Sequence, residues 1–103
     1  MNWEKIKKKY PLSYNELIDF FLRGWILCDK DINLRDLYDF FDSQGVWVDV
    51  TYETNGWELP PWFQGCVYSI PVILTKQYTS RRKAEKAVFK KAFKVLEHKL
   101  KQN

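Results

Sequence analysis

Cysteine is nearly missing from this chain: Cys28 and Cys66 are the only two, far apart and outside any C-x-x-C spacing. That excludes a disulfide framework or a cysteine zinc site and leaves two reduced, packed thiols as the expectation. Histidine is scarcer still. His98 stands alone near the C-terminus, with no motif setting a serine, cysteine or carboxylate beside it, so no catalytic constellation is expected. Gly24, Gly45, Gly56 and Gly65 are too scattered to build a phosphate-cradling loop. Long apolar runs are absent too. The most hydrophobic window, Leu17 to Cys28, contains Asp19 and Arg23 and is too short to cross a bilayer. Lys5 to Lys9 leads into Tyr10-Pro11 rather than an apolar stretch, so no signal peptide is read. These absences point to a soluble, cytoplasmic, non-enzymatic protein with no metal, cofactor, small-molecule substrate or membrane partner.

The 46% hydrophobic and 17% aromatic content of the 103 residues argues for a folded chain. A chain of this length makes one domain, over residues 1–103, and hides roughly two-thirds of its unfolded surface. Residues 1–10 read as a basic N-terminal arm anchored by Trp3 and Ile6. Ser13 and Glu16 have capping-box spacing, with Pro11 restraining the approach, and predict a helix start. Leu17, Ile18, Phe21 and Trp25 then form its apolar face, and Gly24 is placed near its end.

A second helix is marked by Asn33 as N-cap and Asp36 at its third position, with Leu34, Leu37, Tyr38 and Phe41 as an apolar stripe. Gly45 is the expected stop. Asp36, Asp39 and Asp42 drift around the helix without converging, which suits a solvated face better than a cation site. From Val46 the period becomes two: Val46, Val48, Val50 and Tyr52 alternate with Trp47, Asp49, Thr51 and Glu53, a strand with one buried face. Asn55-Gly56 signals a turn. The run from Trp57 to Gly65 reads as a loop because of Pro60-Pro61, with room for a short third strand within it. Cys66 to Thr75 resumes strand character, Pro71 implying an edge or a bulge. Thr79 or Ser80 caps the last helix. The fold class is α+β: two N-terminal helices, a small antiparallel sheet of two or three strands, and a long C-terminal helix packed on one sheet face.

The net charge of +4 conceals a segregation, because residues 31–60 carry seven acids against Arg35 alone. Residues 79–103 carry nine lysines and arginines against Glu85 and Glu97. On the last helix Ala84, Ala87, Val88, Ala92, Val95 and Leu96 form the apolar face, flanked by Phe89, Phe93 and Leu100. Lys83, Lys86, Lys90, Lys94 and Lys101 stand opposite, interrupted by Glu97. Arg81, Arg82 and Lys83 in the first turn oppose the helix dipole. Two readings stand: acids such as Asp49 or Glu53 fold back onto them, or Arg81, Arg82, Lys83, Lys86 and Lys90 hold a nucleic-acid phosphate. A second candidate surface is the loop with Trp57, Pro60, Pro61, Trp62 and Phe63, whose aromatics could engage a protein partner or lid the sheet.

Ser80, Arg81, Arg82, Ala84, Ala87, Ala92 and Leu96 resemble the second helix of double-stranded RNA-binding domains, with Glu85 in the place of a phosphate-contacting lysine. Two preceding helices and two long strands depart from the one-helix, three-strand order of that family. Residues 33–45 (NLRDLYDFFDSQG), 80–87 (SRRKAEKA) and 91–93 (KAF) are similar to a group of small uncharacterised proteins from Bacteroides-type gut bacteria and their phages. The opening residues 1–6 (MNWEKI) and Tyr10-Pro11 are similar as well. That resemblance implies a phage or mobile-element origin and a cytoplasmic setting, and brings no activity with it. The function expected is an accessory interaction module acting on a protein partner or a second copy; the alternative is nucleic-acid binding at the start of the last helix.

Overall fold

A computed structural model of the chain describes residues 1–23, 29–53 and 61–102. The N-terminal residues are not an arm but a helix, α1, Trp3–Lys9. The Asn2 side chain accepts from the Lys5 amide at 3.2 Å, Glu4 sits in the first turn and Lys7, Lys8 and Lys9 in the last. That charge order suits the helix dipole, and Ile6 is buried. Tyr10 precedes a proline, which disfavours helical backbone there, and α2 begins at once as Pro11–Arg23.

Proline at the first helical position is the true start signal. Ser13 is therefore not the cap expected from its spacing with Glu16. It lies inside the helix, fully buried, with its hydroxyl 2.9 Å from Glu97 Oε2. Leu17 and Phe21 are buried as expected, while Gly24, Trp25 and Cys28 lie outside the described residues.

Helix α3, Leu34–Ser43, follows its local code closely. The Asn33 amide donates to the Asp36 carboxylate at 3.0 Å. At the other end Gly45 takes a left-handed φ of 72°. The Gly45 amide reaches the Asp42 carbonyl and the Val46 amide that of Phe41, the paired bonds of a Schellman motif. Leu37, Phe40 and Phe41 are buried.

The sheet has three antiparallel strands in the order β1 (Trp47–Glu53), β2 (Trp62–Tyr68) and β3 (Ile73–Tyr78). The stretch expected as one strand from Cys66 to Thr75 is split by a turn at Ser69–Val72, where Ser69 Oγ donates to the Pro71 carbonyl and Ile70-Pro71 is cis. Pro71 thus belongs to a turn, and residues 62–65 belong to the central strand rather than to a separate one. With its third strand, the order from α3 onward is helix, three strands, helix; α1 and α2 still precede it. Between Gln64↔Gln77 and Cys66↔Leu74 the pairing shifts, leaving Thr75 and Lys76 opposite Gly65. This bulge is satisfied locally: the Gly65 amide donates to Thr75 Oγ1 at 2.9 Å, and Thr75 Oγ1 donates to the Lys76 carbonyl.

Helix α4, Arg81–Lys101, crosses the inner sheet face. Ala84, Val88, Phe89, Ala92, Phe93 and Leu96 are fully buried and join Val50 and Val67 of the sheet to Leu17, Phe21, Phe40 and Phe41 of α2 and α3. The aromatic rings lie at the centre, with Phe41 stacked on Phe89 at 5.8 Å and edge-on to Phe93 at 4.9 Å. Trp3 of α1 meets Phe93 edge-on at 6.2 Å, which anchors the first helix along α4.

Candidate functional site

The first turn of α4 is capped by Ser80, whose Oγ accepts from the Lys83 amide at 3.4 Å. Its three cations do not act as one group. Arg81 Nε lies 4.0 Å from Glu85 Oε1 one turn on. Glu85 in turn accepts from the Tyr38 hydroxyl of α3 at 2.8 Å. Burial first, and then the bond to Glu85, push the Tyr38 phenol well above its ordinary range. Neither Asp49 nor Glu53 supplies the acid for Arg81. Asp49 Oδ1 instead accepts from the Val50 amide at 2.8 Å. Arg82 and Lys83 stay exposed.

The second acid of α4 leaves the solvent face altogether. Glu97, expected to interrupt the basic stripe, is only 3% exposed. Its carboxylate accepts from the Leu12 amide at 3.1 Å and from the Ser13 amide at 2.8 Å, and so caps the amino end of α2 from across the molecule. With Glu85 facing α3 and Glu97 facing α2, the outward strip of α4 keeps Arg82, Lys83, Lys86, Lys90 and Lys94 with no carboxylate of its own helix among them.

Structural neighbours extend this strip. Lys90 shares a groove with Asn2, Lys5, Ile6, Lys9 and Tyr10 of the N-terminal segment. On the sheet side Lys83, Lys86, Lys90 and Lys91 gather around Tyr78. Neither groove contains an acid. A cleft of about 580 Å³ beyond them, lined by Met1, Trp3, Lys30, Lys86 and Lys90, does include Glu4 and Asp29. The positive field is felt at the Met1 amine, whose pKa is lowered first by burial and then by Lys86, Arg82 and Lys90.

The aromatic loop divides differently. Trp57 and Pro60 lie outside the described residues; Pro61 is exposed just ahead of β2. Trp62 and Phe63 are strand residues, not loop residues, because they pair with Glu53 and Tyr52 of β1. Phe63 faces the core side and packs 5.0 Å from the Tyr52 ring. Tyr52, expected to be buried, is 55% exposed at the sheet's end.

The more exposed apolar surface is one that residue pattern alone did not single out. Opposite α4, the outer sheet face presents Trp47 beside Tyr68 and Leu74 beside Cys66. Trp47 is 64% exposed, Tyr68 51% and Leu74 56%, and Val72 extends the patch to the β2–β3 turn. Ile70, at that turn, instead lines a groove with Lys91, Lys94 and Val95 on the α4 side. Trp47 was legible as an outward residue from its alternation with the valines. That nothing in the described fold covers this face was not. Cys66 lies under these side chains, its thiol pushed up chiefly by burial, which keeps it a weak nucleophile.

His98 is exposed, its Nε2 2.9 Å from Gln102 Nε2, and it borders a groove with Ile70, Pro71 and Lys94. Among the described residues no three metal-ligating side chains converge, and no helix is long and apolar enough to cross a membrane. No known protein family, curated protein or solved structure matches the chain.

Proposed function

We propose that this protein is a non-catalytic interaction module of phage or mobile-element type that associates through the open outer face of its sheet. The observation that carries the reading is the apolar group Trp47, Tyr68, Val72 and Leu74, each at least half exposed. The solvent face of an antiparallel sheet is ordinarily polar. A contiguous apolar patch centred on Trp and Tyr is the composition of a docking surface. The partner argued for is a second copy. Four such side chains offer on the order of 450 Å² per molecule, so two faces stacked together bury about 900 Å², the size of a weak, concentration-dependent association. Sheets pack face to face in this way at about 10 Å.

Sedimentation velocity from 1 µM to 200 µM tests it. The native chain is expected to shift from monomer to dimer across that range. Trp47→Lys with Leu74→Lys should stay monomeric with an unchanged far-ultraviolet spectrum, since both side chains are exposed. A native chain that remains monomeric at the highest concentration would remove the reading.

A further inference from the structure

The cationic strip of α4 is not used by association through the sheet, and it has a chemistry of its own. We propose that Arg82, Lys83, Lys86, Lys90 and Lys94, flanked by Lys5 and Lys9 of α1, bind the phosphodiester backbone of a nucleic acid independently of base sequence.

The argument starts from where the acids went. An exposed helix face normally mixes both signs, and α4 has two carboxylates with which to do so. Both are turned inward: Glu85 to Tyr38 and Arg81, Glu97 to the backbone of α2. Within this inward group Arg81 Nε lies 4.0 Å from Glu85 Oε1. Lys86, Lys90 and Lys94 are left as like charges one turn apart, each pair costing a few tenths of a kcal/mol in an isolated helix. An external polyanion relieves that repulsion.

Geometry favours a linear polyanion. From Lys83 to Lys94 the helix rises about 16 Å, with a cation every three or four residues, or about 5–6 Å. A nucleic-acid strand presents a phosphate about every 3.4 Å along its axis, so the strip spans about five of them. A membrane surface fits less well. Amphipathic helices bind lipid by inserting exposed apolar side chains, and among the described residues the large exposed apolar ones are Leu12, Leu22, Trp47, Tyr52, Tyr68, Ile70, Val72 and Leu74, none on α1 or α4. The aromatics nearest the strip, Tyr10 and Tyr78, are half-buried in its grooves, so the exposed contacts it offers are backbone contacts, which position without reading sequence. Arg81, tied to Glu85, is not part of the strip.

Fluorescence anisotropy with labelled 24-nucleotide random-sequence single strands and duplexes, at 50 and 200 mM KCl, decides the matter. Phosphatidylserine-containing vesicles and polyglutamate serve as competitors. Binding at low salt is expected to weaken about a thousandfold at the higher salt if about six phosphates are contacted. Lys83→Gln/Lys86→Gln/Lys90→Gln should lower affinity more than about tenfold and flatten the log–log salt slope by about 2.7. Arg81→Gln and Lys8→Gln should change neither. No binding at 50 mM KCl overturns the proposal, as does a triple variant with native affinity and slope. Competition by vesicles or polyglutamate at equal or lower charge concentration would also overturn it, since the site would then belong to another class of anion. The sheet-face variant Trp47→Lys/Leu74→Lys, assayed in parallel at 1 µM, keeps the two surfaces distinguishable.

Discussion

Glu97→Ala is expected to lower the melting temperature by about 15–25 °C, the largest loss from any surface-type residue of this chain. The carboxylate accepts from two backbone amides and lies within 2.9 Å of the Ser13 hydroxyl, in a setting that is 3% exposed. Removing it leaves the Leu12 and Ser13 amides without a partner at the amino end of α2. Buried donors stripped of a charged acceptor cost about 3–4 kcal/mol together, and in a domain this size each kcal/mol moves the midpoint by about 4–8 °C. Glu97→Gln separates charge from shape. Its carbonyl can still accept one of these bonds, so it should lose about half as much. Thermal melts followed by circular dichroism check both, and a Glu97→Ala midpoint within 5 °C of native would show that solvent or a neighbour replaces the cap.

Gly65→Ala should be comparably damaging for an opposite reason. Gly65 sits on the inner face of β2 where α4 comes closest, and a Cβ there would stand 2.4 Å from Val88 Cβ and 2.8 Å from Val88 Cγ2. Both atoms are held by a helix that is itself packed against three strands. Overpacking ordinarily costs about 1–3 kcal/mol; a clash with the root of a helical side chain belongs at the upper end or beyond. The sharper test is the pair. Shortening Val88 to alanine leaves its Cβ in place, so Gly65→Ala/Val88→Ala should be no more stable than Gly65→Ala alone. Recovery of stability in urea titrations by that second substitution would mean that the methyl groups, not the backbone approach, set the limit.

Legibility in the sequence followed the range of the interaction. Helix α3 could be read almost residue by residue, since Asn33, Asp36 and Gly45 act within one turn of themselves. In α1 equally local signals were present in Asn2, Glu4 and Lys7 to Lys9, but the lysine run read as a solvated arm. The β2–β3 hairpin was hidden because Cys66 to Thr75 is strand-like on both sides of Pro71, and only a turn made by Ser69 to Val72 separates the two halves. The candidate surfaces show the same division. That α4 carries a basic face was plain from composition. Which of its cations are free was not, because Glu85 and Glu97 find partners 47 and 84 residues away. Ser13 misled for that reason too: a residue spaced like a cap is in fact a buried member of the site that receives one.

The bulge at Thr75 and Lys76 bears on how other molecules can approach. β3 is an outer strand, and a straight outer strand invites another chain to extend the sheet by main-chain pairing. Here the extra residue breaks the regular run of outward amides and carbonyls, Thr75 turns its hydroxyl inward to Gly65, and Lys76 places a charge on the rim. Strand addition along β3 would have to cross that interruption. The fold thereby guards this rim against runaway sheet growth while leaving Trp47, Tyr68 and Leu74 open on the flat of the sheet, so main-chain pairing and side-chain contact lie in different directions.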